Sequence, residues 1–428
     1  MRKKSKSTFL IIPFLVLCGC LLSSDLNAQT YLSFRNEQQD IIQNRSRIRI
    51  GPFRIYPRIQ ISDIGYDGNV LREEDKAKSI SDFTLNITPS VQMSLLFSNW
   101  VILTVTESVN YRHFFNTTRE RAWDNSIMPT MKILLFNRFV LSGRYFYRTE
   151  RRRGTTEFDV RAKESSHQYH ARLMYETTRG TTFGFSGEIR ELKWEDLDLP
   201  GEEITLSRRL NRRELSGDFE FYYPFTSRSR FFVRAGATKH LFESSEAEWR
   251  DSLSYEVSTG LIFPLLGNIR GTFSLGYKVL KPDSTEIKKF SGLIGNTTLT
   301  FRMGRFNFNA QYLRDSHFSF SSTNLYFVQD RYSPGVSFYL TRFLKLNYTF
   351  HYGINSYPEP ELLDVTESGP VYALRKDIHK SHSATMTVRI IRLLGIALTL
   401  KWWEVDSNFP LRGKRDQLFM GFSITHGF

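Results

Sequence analysis

Read in steps of two, this chain of 428 residues sets its bases in a pattern able to do electrostatic work. Arg54, Arg58, Arg144, Arg148, Arg172, Arg190, Arg234, Arg270, Lys278 and Arg389 each sit on the polar parity of a segment whose other parity is apolar. Acids on the same parity are fewer: Glu176, Glu188, Glu214, Asp218, Glu220 and Glu256. Facing an enclosed space, such a set makes it polar and somewhat basic, which attracts anions and repels cations. The competing reading is a ladder of cross-strand Arg–Glu pairs that only stiffens a wall. From the residues alone both stay open. Tyr56, Phe232 and Tyr339 share the inward parity, either as rings on which sugars stack or as ordinary packing.

Other reactive residue types do not assemble. His167 and His170, like His379 and His382, are three apart, which would share a helix face but points to opposite faces of a strand. No metal site, cofactor loop or catalytic set can be picked out, so the chain reads as a non-enzyme needing no cofactor. Two basic runs, Arg151-Arg152-Arg153 and Arg208-Arg209 with Arg212-Arg213, fall in or beside connections. On an exported protein they point to lipid phosphate, surface polysaccharide or plain solvation, and no nucleic-acid partner is expected.

These side chains need a scaffold that keeps alternation over the whole length. The segment 53–62 sends Phe53, Ile55, Ile59 and Ile61 one way and Arg54, Tyr56, Arg58 and Gln60 the other. The segment 82–95 repeats the scheme, and about eighteen such segments (16–18) follow one another to the carboxy-terminus. Links between them alternate in length: short at 98–99, 137–138, 179–180, 226–228, 266–268, 304–305, 341–342 and near 392, and long at 71–81, 116–124, 150–166, 194–209, 243–251, 281–289, 315–329, 355–377 and 404–415. Short turns and long loops in alternation are the habit of an antiparallel transmembrane β-barrel, with the turns toward the periplasm. A soluble sandwich gives no reason for that regularity. The expected fold is therefore all-β, an outer-membrane barrel over residues 51–428. Aromatics at segment ends, Trp100, Phe114, Tyr147, Tyr223, Tyr352 and Trp402, fit two interfacial girdles.

The last segment, 416–428, puts Leu418, Met420, Phe422, Ile424 and Phe428 on one parity and stops on an aromatic residue. That ending resembles the closing strand recognised by barrel-assembly machinery, with Phe422, Ile424 and Phe428 as the signal. At the other terminus, a basic stretch (1–7), an apolar run (9–22) and a short polar segment ending at Ala28 read as a secretory leader. Leu17-Cys18-Gly19-Cys20 offers an alternative, a lipobox with Cys20 as the lipidated residue. Both cysteines lie in the leader, so disulfides and thiolate metal sites are not expected. Residues 29–50 read as a periplasmic lead-in or a short helix tucked into the lumen. The net charge of +14 is inflated by the bases of the leader, and a mean hydropathy of −0.35 beside 36 Phe and 20 Tyr suits strands that are half apolar and half wet.

Gly51-Pro52-Phe53-Arg54-Ile55-Tyr56-Pro57, Gly65-Tyr66-Asp67-Gly68-Asn69-Val70, Ser81-Asp82-Phe83 and Ile87-Thr88-Pro89-Ser90 together resemble the opening of the putative beta-barrel porin 2 family. Gly68 departs from the acidic residue more usual there, at little cost, since glycine tolerates the turn. The resemblance covers about forty residues closely and implies the barrel fold. It also implies a role in exopolysaccharide export, since several relatives belong to such systems. Partners expected on this reading are outer-membrane lipid and lipopolysaccharide, the assembly machinery, polysaccharide and periplasmic export components. A general or anion-preferring diffusion porin, an outer-membrane hydrolase and a structural barrel with a plugged lumen are the alternatives.

Overall fold

The computed structural model describes residues 29–43, 47–153, 157, 161–197, 205–226, 228–265, 268–321, 323–366, 369–391, 394–409 and 413–427. The expected leader (1–28), with Cys18 and Cys20, and the expected signal residue Phe428 lie outside them. A helix, α1 (Gln29–Gln43), and a short strand, β1 (Ile48–Ile50), precede the wall. The wall comprises β2 (Phe53–Asp67), β3 (Asp82–Phe97), β4 (Val101–Phe114), β5 (Ala122–Leu135), β6 (Phe139–Arg153), β7 (Arg161–Glu176), β8 (Thr182–Trp194), β9 (Arg212–Pro224) and β10 (Arg230–Phe242). It continues through β11 (Ser252–Leu265), β12 (Ile269–Pro282), β13 (Phe290–Met303), β14 (Phe306–Phe318), β15 (Tyr326–Tyr339), β16 (Leu344–Thr366), β17 (Gly369–Ile391), β18 (Leu394–Ser407) and β19 (Arg415–Gly427). A second helical turn, α2 (Leu206–Leu210), lies between β8 and β9.

Each strand from β2 to β19 pairs antiparallel with the next, and β19 pairs back onto β2 through Phe419↔Asp67 to Gly427↔Arg58. The ring therefore holds eighteen strands, as the alternation predicts. β1 pairs with Phe53, Arg54 and Ile55, the stretch of β2 beyond the end of its pairing with β19. No described helix is long and apolar enough to cross a membrane. The outward parity explains why the strands suit lipid. Phe83 and Phe185 are 58% and 59% exposed, and Val257 and Leu293 are comparable, a burden no aqueous surface would carry along a whole sheet.

Links at one end are tight. Between β5 and β6, Phe136 and Asn137 both take positive φ (51° and 55°), which suits the twist of a hairpin. At the other end one expectation needs correction. Residues 355–377 read as a loop because Pro358, Pro360 and several charges interrupt the alternation. Instead β16 and β17 run on as a hairpin of 23-residue strands, with register shifts between Ser356 and Pro360 and between Leu362 and Asp364. Such shifts let proline sit where no ladder hydrogen bond is needed.

The Gly65–Val70 stretch does more than end a strand. Gly68 N donates to Leu418 O at 2.8 Å. Gln417 Nε2 donates to Asp67 Oδ2 at 2.7 Å. Asn69 Nδ2 donates to Asp416 O and Glu73 O, both at 3.0 Å, while Asn69 Oδ1 accepts from Glu73 N at 2.9 Å. Asp67 and Asn69 are buried and Val70 fully so. The segment thus clamps the first wall strand to the last at the loop rim. Asn69→Ala removes three of these bonds and strands backbone groups, at a cost of about 1–3 kcal/mol. The heat-modifiable gel shift of the folded barrel is expected at a lower temperature in this variant, and an unchanged midpoint would refute the clamp.

Candidate functional site in the barrel lumen

The inner face is identified by what packs on it. Phe34 and Ile41 of α1 bury against Leu96, Ile102, Leu134 and Val140 of β3 to β6, and Glu37 pairs with Lys132 at 2.5 Å. Cross-strand register carries that parity round the ring. It puts Arg54, Tyr56 and Arg58 on β2, Arg144 and Arg148 on β6, Arg172 on β7, Arg190 on β8, Arg234 on β10, Arg270 on β12 and Arg389 on β17 on one face. Phe422 and Ile424 fall on the opposite, outward parity of β19.

The structure then divides the bases into two groups. Arg172 and Arg234 both bind Glu220, the latter at 2.8 Å. Arg144 faces Glu188 at 3.7 Å, Arg190 faces Glu214 at 3.7 Å, and Arg148 reaches Glu164 at 3.1 Å and Glu150 at 3.4 Å. Lys278 pairs with Asp315 at 2.8 Å. Glu164 and Glu220 are almost completely buried; Arg148 and Arg152 of the adjacent strand hold the first, and Arg234 of the adjacent β10 with Arg172, reaching over Gly184 of β8, holds the second. The wall from β6 to β10 is thus largely a ladder of paired charges, and Lys278 of β12 is paired as well. Arg54, Arg58, Arg270 and Arg389 have no acidic partner among the described residues. Arg54 donates to Gly51 O and Phe53 O, and Arg58 to Gln60 Oε1. The mid-wall positions of β3 to β5 and of β13 to β19 are mostly Ser, Thr, Asn and Gln, among them Thr88, Ser90, Thr104, Asn309, Asn347, Thr385 and Ser423.

At the loop rim the connections meet across the lumen. Ser319 Oγ donates to Glu157 Oε1 and Phe320 N to Glu157 Oε2, both at 2.7 Å. Glu157 lies between β6 and β7 and Ser319 between β14 and β15, eight strands round a ring of eighteen, so this contact spans nearly opposite walls. Arg209 of α2 donates to Phe320 O at 2.9 Å, and Arg250 donates to Ser319 O. Arg375 of β17 joins Asp377 at 2.5 Å, Glu157 at 3.6 Å and Glu361 at 3.8 Å. Asn324 binds Glu361 Oε1 at 2.9 Å. Glu157, Arg250, Ser319, Phe320, Asn324 and Arg375 are all essentially inaccessible. Desolvation pushes the Arg250 guanidinium down to about 9, with Arg209 adding repulsion and Glu157 opposing it.

Several expectations change with this geometry. The basic runs are structural: Arg152 binds Glu164 and lies over Trp194, Arg153 donates to Val70 O, and Arg209 is buried in the cap. Phe114 is buried inside, beneath Arg161, and belongs to no girdle. Tyr147, Tyr223, Tyr352 and Trp402 do face outward. Tyr56, Phe232 and Tyr339 sit on separate strands and do not converge. The aromatics that do converge are Trp194, Phe318 and Phe327, under the cap with Arg152, Arg190 and Arg212. Inward parity extended past 190 and below 332 would have found Trp194 and Phe327. His167 bonds the Tyr145 hydroxyl at 2.9 Å on the outer face, whereas His170 faces Arg144 and Glu188 inside.

An antiparallel wall closed on itself, apolar outside and polar within, defines a porin-type transmembrane β-barrel. The chain belongs to the family described as putative beta-barrel porin 2, whose model matches residues 46–421. Among solved structures it is similar to the outer membrane protein OpdK from Pseudomonas aeruginosa, with 9% identity, a TM-score of 0.50, and 87% of this chain and 98% of that chain covered. OpdO from the same organism gives 8% identity and a TM-score of 0.48, covering 87% and 97%. The siderophore receptor PirA from Pseudomonas aeruginosa gives 9% and 0.45, covering 88% and 80%. No curated protein matches the sequence.

The cap yields a pair of opposite expectations. Glu157→Gln takes the anion from a buried cluster of arginines and lowers the unfolding midpoint, by about 3–5 kcal/mol if the cap unfolds with the barrel. Arg250→Met removes a buried cation with two unpartnered nitrogens and leaves stability equal or higher. Urea unfolding in detergent, followed by tryptophan fluorescence, compares the two; a loss in both would contradict this charge balance.

Proposed function

We propose that this chain is a gated channel of the outer membrane that exports exopolysaccharide. The observation that carries the reading is the combination of a loop cap spanning the lumen with an inner wall of satisfied ion pairs and neutral hydroxyls and amides. Ion pairs that already hold each other do not capture a passing chain. Hydroxyls and amides exchange hydrogen bonds with a polyol at little net cost, because each bond replaces one to water. The family resemblance supplies the cargo. The cap supplies the gate, since Glu157, Ser319, Phe320 and Arg375 must separate before a polymer can pass between opposite walls.

Planar-bilayer recording of the refolded protein tests this. The unmodified channel is expected to be silent or to open rarely, and replacing residues 319–325 with a short Gly-Ser link is expected to give steady conductance. A stable open channel in the unmodified protein would instead support passive diffusion. In the opened variant, Arg54→Gln with Arg58→Gln is expected to lower anion preference, read from reversal potentials in a salt gradient. In cells, loss of the protein is expected to deplete surface polymer and retain it in the periplasm; unchanged surface polymer rules out the cargo.

A further inference from the structure

Two of the bases without an acidic partner, Arg58 and Arg389, lie near each other at the closing seam. Arg389 on β17, Gly395 on β18, Thr425 on β19 and Gln60 on β2 form one register row across the closing seam, with Thr387, Ala397 and Ser423 in the next. Arg58 lies beside that row and Arg47, just before β1, leans over Tyr56 with its guanidinium 5.8 Å from the ring. Gly395 and Ala397 make a floor without bulk. Arg389 and Arg58 flank it, roughly 14 Å apart along the wall at ordinary strand spacing, and both side chains are long and exposed enough to converge above it. Arg47, Tyr56, Arg58, Thr387, Arg389, Ser423 and Thr425 line a cavity of about 300 Å³ here, and no acid lines it.

We infer that this seam pocket, at the short-turn mouth of the lumen, binds an oxyanion group, a carboxylate or a phosphate. Three guanidiniums line one cavity that no acid lines, whereas Arg144, Arg148, Arg172, Arg190 and Arg234 each have a glutamate within reach. Three hydroxyls complete the donor set. Guanidinium forks match the two oxygens of either group, and such charge-assisted bonds are the strong ones. Small residues on the floor admit the anion where longer ones would fill the space. The position matters as well, because on a barrel of this kind the short-turn end faces the periplasm. An anionic group approaching from that side meets this pocket before it meets the paired wall.

The test is calorimetric and needs no transport, so its result is independent of the export reading. The full chain in detergent is titrated at low ionic strength with inorganic phosphate and, separately, with D-glucuronate. At least one is expected to bind with a millimolar dissociation constant, and the tighter of the two identifies whether a free phosphate or a sugar carboxylate is the natural source. Arg58→Gln with Arg389→Gln is expected to weaken binding at least tenfold, while Arg389→Lys keeps part of it and Arg144→Gln leaves it unchanged. Heat-modifiable gel mobility establishes that each variant is folded, and Arg389→Gln alone serves if the double variant is not. Absence of binding by both anions, equal binding by the double variant, or an equal loss in Arg144→Gln overturns the proposal.

Discussion

Backbone hydrogen bonding between β19 and β2 is the constraint on which the remainder depends. A sheet in lipid tolerates no free edge, because each unpaired N–H or C=O costs several kcal/mol there. The chain meets this with its first and last wall strands, and reinforces the seam at the loop rim through Asp67, Gly68 and Asn69. Once the ring is closed, side chains can sort only inward or outward. The apolar exterior, the polar interior and the placing of every base follow from that single binary choice.

Charge inside the ring is handled by proximity. From β6 to β10, most inward arginines have a glutamate within reach, and Glu220 serves two of them and Glu164 another two. The field of this stretch is that of dipoles and falls away quickly from the wall. At the short-turn end, Arg47, Arg58 and Arg389 have no such partners and their field reaches into the mouth. The lumen is therefore electrically uneven, with paired charge on one arc of the wall and bases without acids at the mouth of the closing seam.

Much of the wall was legible because alternation is a local property. Each of eighteen segments announces its own period, and short and long links order them. Which arginine meets which glutamate depends on register between strands, and a one-residue slip would reassign every pair. The Arg–Glu ladder and the basic pore were thus both consistent with the residues, and the structure contains each in a different region. The loops were least legible. Glu157 and Ser319 are 162 positions apart and meet only because the ring brings their strands face to face. Phe114 and the 151–153 arginines were misjudged for a similar reason, since loop-like composition at a strand end does not reveal what folds over it.

The Glu157–Ser319 contact also has a mechanical consequence. A ring of strands bends most easily by ovalisation, one diameter lengthening as the perpendicular one shrinks. A strut between nearly opposite walls, locked by Arg209, Arg250 and Arg375, pins that mode at the loop rim. At the other end, α1 is fastened to one arc of the wall, β3 to β6, and spans no diameter among the described residues. The described bracing is accordingly lopsided: it crosses the diameter at the loop rim and not at the mouth where the seam pocket sits.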